Sequence, residues 1–113
     1  MNNKLLSLLG FAAKAGKLSY GFEASVWSVK TRKSKLVAVS NEISPKSRKE
    51  MQYYADKYNT KITVLDIDIK TVSEAVGKKC GIISVNDRGF ADAILNCDSN
   101  AVVDIEGGNA DDE

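Results

Sequence analysis

The sequence predicts an α/β domain with helices on both faces of a small sheet. Two observations carry that prediction. Short, β-branched apolar runs (36–39, 62–65 and 82–85) alternate with longer stretches whose apolar residues recur every three or four positions. Strong punctuation falls between them: Gly16, Gly21, the Ser44-Pro45 pair and Gly77.

In chain order, residues 3–15 read as a helix, with Leu5, Leu8, Leu9 and Ala12 on one stripe, Asn2 or Asn3 as cap and Gly16 as stop. Residues 17–20 form a short strand. A second helix runs from Phe22 to Thr31 with Phe22, Val26 and Val29 on one face. Residues 35–40 form a buried strand by their unbroken apolar run. Ser44-Pro45 then supplies an N-cap followed by proline at the first helical position, and Met51, Tyr54, Ala55 and Tyr58 continue a helix over 45–58. After the Asn59-Thr60 turn, residues 61–65 are again extended. Thr71 and Glu74 have capping-box spacing and open a short helix that Gly77 ends. On this reading Asp66 and Asp68 are solvated turn residues. Residues 82–85 are the last strand, and Asn86 or Asp87 caps a final helix carrying Phe90, Ala93 and Ile94.

The 113 residues make one domain over 1–97 and an acidic tail over 98–113, expected to be disordered. Net charge is +1, but the tail holds six acids and no base, which leaves residues 1–97 at +7. A basic body with an acidic tail fits a polyanion-binding surface; without positional clustering, lysines that simply keep a domain soluble are the commoner reading. No apolar run approaches membrane-spanning length, and the first residues lead straight into an amphipathic pattern rather than a signal peptide. Cys80 and Cys97 lack metal-ligand spacing and there is no histidine, so both read as reduced, small buried thiols in a cytoplasmic protein. Without histidine, useful carboxylate pairs or a nucleotide-binding glycine pattern, an enzyme is not expected, and neither is a cofactor.

The stretch around Gly21 is the most informative. A helix that starts at a tight glycine turn aims free N–H groups and a positive dipole end outward, which suits phosphate. Ligand contacts in such folds gather in the loops at one sheet edge. Three segments stand out there: the Gly21 turn, Ser40-Asn41-Glu42, and Gly77-Lys78-Lys79-Cys80-Gly81. Glu23 lies in the first helical turn, where its carboxylate either stabilises the helix dipole or accepts from a base amino group. Trp27 falls off the apolar stripe, beside Glu23 and Lys30 in helical projection. It either stacks on a splayed base, worth about 1–3 kcal/mol, or packs under a neighbour. Lys30, Arg32, Lys33 and Lys35 are the densest basic cluster, about 15 Å from the helix start, and form a second backbone-binding patch or complement the helix C-terminus.

The order of elements, with Gly-Lys-Leu-x-x-Gly opening the second helix, resembles the L7Ae/L30e-like ribosomal protein family, most closely its short bacterial YlxQ-type RNA-binding members. The resemblance covers residues 4–96 and is carried by the Leu8–Leu18 motif with Gly21, by residues 72–81, and by Asn86-Asp87-Arg88-Gly89-Phe90-Ala91. It implies a three-layer α/β/α sandwich with a small four-stranded mixed sheet. It also implies a non-catalytic protein that binds structured RNA, typically a kink-turn, in ribosomal or translational assemblies, with ribosomal or translation-factor proteins as further partners and no membrane. The family's contacts come from the start of the second helix and the loop before the last strand. Carried over, the candidate RNA-binding residues are Lys17, Gly21, Phe22, Glu23, Ser25, Trp27, Lys78, Lys79 and Cys80. The family's helix motif is often Gly-Thr-Asn-Glu-x-x-Lys; here Gly21 is followed by Phe22, Glu23 and Ala24, with Trp27 in the lysine position. The alternative is therefore a protein-interaction module on the same fold that has lost specific kink-turn recognition.

Overall fold

In the computed structural model of the chain, residues 3–97 and 102–103 are described. Among them helices and strands alternate: α1 (Asn3–Lys14), β1 (Leu18–Tyr20), α2 (Phe22–Lys30), β2 (Leu36–Ser40), α3 (Pro45–Lys57), β3 (Ile62–Leu65), α4 (Ile69–Val76), β4 (Ile82–Val85), α5 (Arg88–Cys97) and β5 (Val102–Val103). The sheet order is β1-β4-β2-β3-β5. Strands β2 and β3 are parallel, whereas β4 runs antiparallel to both β1 and β2. The predicted mixed sheet of four strands is present, and β5 extends it.

Side-chain alternation builds the layers. Leu36 and Ala38 of β2, with Ile83 and Val85 of β4, enter a core shared with Leu5 and Leu9 of α1, Val72 of α4 and Ile94 of α5. Val37 and Val39 point the other way, with Ile62 and Ile82, into a core closed by Val29 of α2 and by Met51 and Ala55 of α3. Helices α1, α4 and α5 thus cover one face and α2 and α3 the other, the expected three-layer sandwich. Strand β2 is buried on both faces, which is why its sequence is an unbroken apolar run.

The local signals mostly act as expected. Ser44 caps α3, its Oγ accepting from Ser47 N–H at 3.1 Å, with Pro45 in the first turn. Gly77 ends α4 in the left-handed conformation. Between the two candidates for the start of α5, Asp87 is the cap, its Oδ2 accepting from Phe90 N–H at 2.9 Å. Asn86 instead donates from Nδ2 to Ser19 Oγ and accepts from Ser84 Oγ, while Ser19 Oγ also meets Ser28 Oγ at 2.7 Å. This polar network ties β1, α2 and β4 together.

Three expectations need correcting. Helix α4 starts at Ile69, before the Thr71 box. Its cap is Asp68, whose carboxylate accepts from Thr71 N–H at 2.7 Å, so Asp68 is a structural residue and Thr71 lies inside the helix. Helix α2 buries Ser25 and Ser28 along with Val29, while Phe22 and Val26 are only half-buried. Within the expected disordered tail, Val102 and Val103 pair with Val64 and Thr63 of β3; residues 98–101 and 104–113 lie outside the described residues.

Candidate nucleic-acid interface

Strands β1, β2 and β3 all point their C-terminal ends to one edge of the sheet, because each is antiparallel to β4 or parallel to β2. Helices α2, α3 and α4 each follow one of these strands, so all three begin at that edge. Their first turns meet around a single groove of about 250 Å³, lined by Gly21 and Phe22 from α2, Ser44 and Ser47 from α3, and Ile69 from α4. Gly81 and Ile82, where β4 enters the sheet, complete the floor, with Glu42 and Ile43 on one wall. The positive ends of three helix dipoles therefore converge on one place.

Two of those helix starts are internally satisfied. Ser44 caps α3, and Pro45 has no N–H to offer. Asp68 caps α4, while the Ile69 N–H donates to Glu42 Oε1 at 2.9 Å. Hydrogen bonding from Thr71 holds the Asp68 carboxyl below its ordinary value, so it stays ionised and keeps its hold on α4. The start of α2 differs: Gly21 is its N-cap, and no side chain caps it. Its first-turn amides are open to an outside acceptor. Gly21 adopts φ 91° and ψ 172°, a conformation essentially reserved for glycine, and a Cβ there would meet nothing within 4 Å. The residue is required by backbone geometry and leaves free space over the helix end.

The loop before β4 lies directly alongside. Gly21 N–H donates to Ile82 O at 2.8 Å, and Ser40 N–H donates to Gly81 O at 2.8 Å. All three segments singled out from the sequence are therefore neighbours. A Cβ on Gly81 would come within 3.0 Å of Ile69 and 3.2 Å of Ile43, so the groove floor depends on the absence of a side chain there. Lys78 places Nζ 5.0 Å from the centre of the Tyr20 ring, a cation–π contact that stands the charge beside the Gly21 turn. Burial raises the Tyr20 hydroxyl above its usual range, with a smaller contribution from Cys80. Lys79 is exposed and shares a shallow hollow with Ile69, Lys70 and Glu74. The edge is thus an apolar groove with lysines along its rim.

The sequence-derived residues divide accordingly. Gly21, Phe22, Lys78 and Lys79 gather at this edge, and Glu23 is exposed in the first turn of α2. Trp27 is 63% exposed on the outer face of α2, not packed under a neighbour. Ser25 is fully buried, and its Oγ has no partner among the described residues, so its side chain faces the interior. Cys80 is also buried: its N–H donates to Ser73 Oγ, its thiol donates to Lys78 O, and burial raises that thiol despite the opposing pull of Lys78. A protonated, enclosed thiol with these two contacts helps to order the loop. Lys17 stands at the other end of β1, about 13 Å from Gly21 along the strand, where its carbonyl accepts from Asn86 N–H. Glu42 lies in a segment the sequence already points to, but Ile43, Ile69 and Lys70 are not among the sequence-derived site residues. Isolated loop hydrophobes and a helix start hidden by the Thr71 pattern gave no local sign of the groove.

Among the described residues no group of three or more His, Cys, Asp or Glu could hold a metal ion, and no helix is long and apolar enough to cross a membrane.

A family model described as the ribosomal protein L7Ae/L30e/S12e/Gadd45 family matches residues 3–94. The chain is 28% identical over 88 residues to the RNA-binding protein YlxQ of Enterococcus faecium, covering 78% of this chain and 84% of that protein. It is 30% identical over 88 residues to the large ribosomal subunit protein eL30 of Candida glabrata, covering 76% and 84% respectively. Among solved structures, a protein of unknown function from Bacillus halodurans superimposes with a TM-score of 0.79 at 29% identity, over 83% of this chain and 95% of that one. A 15.5 kD RNA-binding protein from Giardia lamblia shares the fold, with a TM-score of 0.68 at 14% identity over 83% and 84% of the two chains.

Proposed function

Because this chain belongs to the ribosomal protein L7Ae/L30e/S12e/Gadd45 family, we propose that it is a non-catalytic RNA-binding protein of the translation apparatus, with structured RNA of the kink-turn type as its ligand. The observation that carries this reading is the juxtaposition of the uncapped start of α2 with the Lys78-Lys79 loop across the Gly21–Ile82 hydrogen bond. Open amides at the helix start receive a phosphate oxygen, and the rim lysines contribute charge along the backbone. The apolar groove formed by Phe22, Ile43 and Ile69 accommodates the face of an unstacked base, the element that distinguishes a bent internal loop from a regular duplex. Exposed Trp27 offers a second stacking surface about 9 Å along α2.

Filter binding with a kink-turn RNA and a linear duplex of equal length tests the reading. The expected result is preference for the bent RNA and an affinity that falls steeply with salt. A flat salt response at measurable affinity would reject RNA binding.

One observation favours a second reading. Glu23 and Ala24 stand where the family's helix motif often has Asn and Glu, and Glu23 sets a negative charge on the open helix end. A protein-interaction module that has lost specific kink-turn recognition accounts for both. Partners that persist unchanged in nuclease-treated extract would support it.

A further inference from the structure

The opposite end of the sheet holds a second basic site. Arg32 from the α2–β2 connection, Lys35 just before β2, Lys61 just before β3 and Arg88 from the first turn of α5 line one cavity of about 320 Å³. Arg32 and Lys35 belong to the basic cluster that follows α2, whereas Lys61 and Arg88 come from distant parts of the sequence, so the meeting of all four was not visible as one charge run. Among the described residues Asp92 is the acid in this lining, and none of the four cations is paired with a carboxylate. Arg32 also sits at φ 66°, just past the end of α2, where Lys33 and Ser34 donate back to Ser28 O. Glycine is the residue this left-handed position ordinarily takes, and an arginine there is held at a local conformational cost. Lys35 Nζ donates to the Arg32 backbone carbonyl at 3.5 Å, which holds the ammonium against the turn that carries Arg32.

We propose that this cavity is a second phosphate-binding site, taking phosphodiester groups of a nucleic-acid backbone, so that one molecule holds two backbone segments. The inference rests on the RNA-binding reading above and extends it to a face that reading does not use. From Lys35 to Asn41 the chain crosses the sheet in six extended residues, about 20 Å. That exceeds the screening length of about 8 Å at physiological salt, so the two sites act as independent electrostatic contacts. Arginine is suited to the task through bidentate pairing with phosphate oxygens.

The test uses the ¹⁵N-labelled full chain, titrated with inorganic phosphate and with a mixed-sequence RNA hairpin. The proposal expects the amides of Arg32, Lys35, Lys61 and Arg88 to shift with both probes. It also expects the Arg32→Gln/Lys61→Gln/Arg88→Gln variant to lose those shifts, with hairpin affinity falling about tenfold and the salt slope shrinking by about 2–2.7. Lys61→Gln alone, with a smaller loss of slope, serves if the triple variant does not fold. Movement of the Gly21 and Lys78 amides without movement at the cavity would overturn the proposal and leave the rim reading intact. Cavity shifts without rim shifts would support the proposal and overturn the rim reading; no shift at either would overturn both. Equal binding of poly-glutamate and the hairpin at the cavity would overturn it in favour of an acidic protein partner.

Discussion

Gly21 and Ile82 are joined by a 2.8 Å backbone hydrogen bond that sets the open start of α2 against the entry of β4. Sixty residues separate them in sequence, yet this contact turns two weak signals, a glycine turn and a lysine pair, into one surface.

Gly21→Ala tests whether the glycine serves geometry alone. A Cβ there meets no atom, so the cost is conformational, about 1–3 kcal/mol of stability, read from the urea midpoint. RNA approaching the helix start would meet that methyl, so affinity measured on the folded variant is expected to fall as well. A stability loss with unchanged affinity would restrict Gly21 to its turn.

Lys78→Gln/Lys79→Gln is expected to leave the fold nearly unchanged, since both side chains are exposed. The slope of log K against log salt should shrink by about 1.5–2, one phosphate per lysine removed. Circular dichroism melts and salt-series anisotropy together check both halves.

Asn86→Ala removes the centre of the Ser19–Ser84 network and strands the buried Ser84 hydroxyl. A loss of about 1–3 kcal/mol is expected in denaturant titration, with rim-directed binding unchanged in the folded fraction.

Asp68 gives a pH signature. Its folded-state pKa lies below the ordinary 3.8, so its contribution is fully present above that value and is lost as pH falls through the lowered one. Asp68→Asn keeps a good cap without a titrating group. The wild-type protein should therefore lose stability relative to the variant below pH 3.8, and parallel acid-unfolding curves would remove this role.

The fold was legible wherever a local signal had no competitor. Ser44-Pro45 fixed the start of α3, and the apolar run at 36–39 marked a strand buried on both faces. It was misread where two local signals overlapped. Thr71 and Glu74 imitate a capping box three residues past the true cap at Asp68, and Val102-Val103 is too short to stand out amid acidic residues. The burial of Ser28 goes with its hydroxyl contact to Ser19 of β1, which no helical projection contains, while Ser25 is buried without a polar partner among the described residues. Of the site, the meeting of Gly21 with residues 77–81 was foreseen from element order. The shared groove at three helix starts needed the strand order, which nothing local encodes.

The acidic tail yields a further expectation. Strand β5 runs antiparallel to β3 and so heads toward the Lys61 end of the sheet. Truncation after Val103, which retains β5, should raise nonspecific RNA affinity at low salt by removing competing carboxylates. Unchanged binding would show the tail to be inert.

The most direct test of the central claim is ultraviolet crosslinking of the full chain to a kink-turn RNA, with the modified peptides identified by mass spectrometry. Adducts on residues 20–27 and 78–82 are predicted. Adducts found elsewhere on the protein, with both of those segments unmodified, would contradict the account.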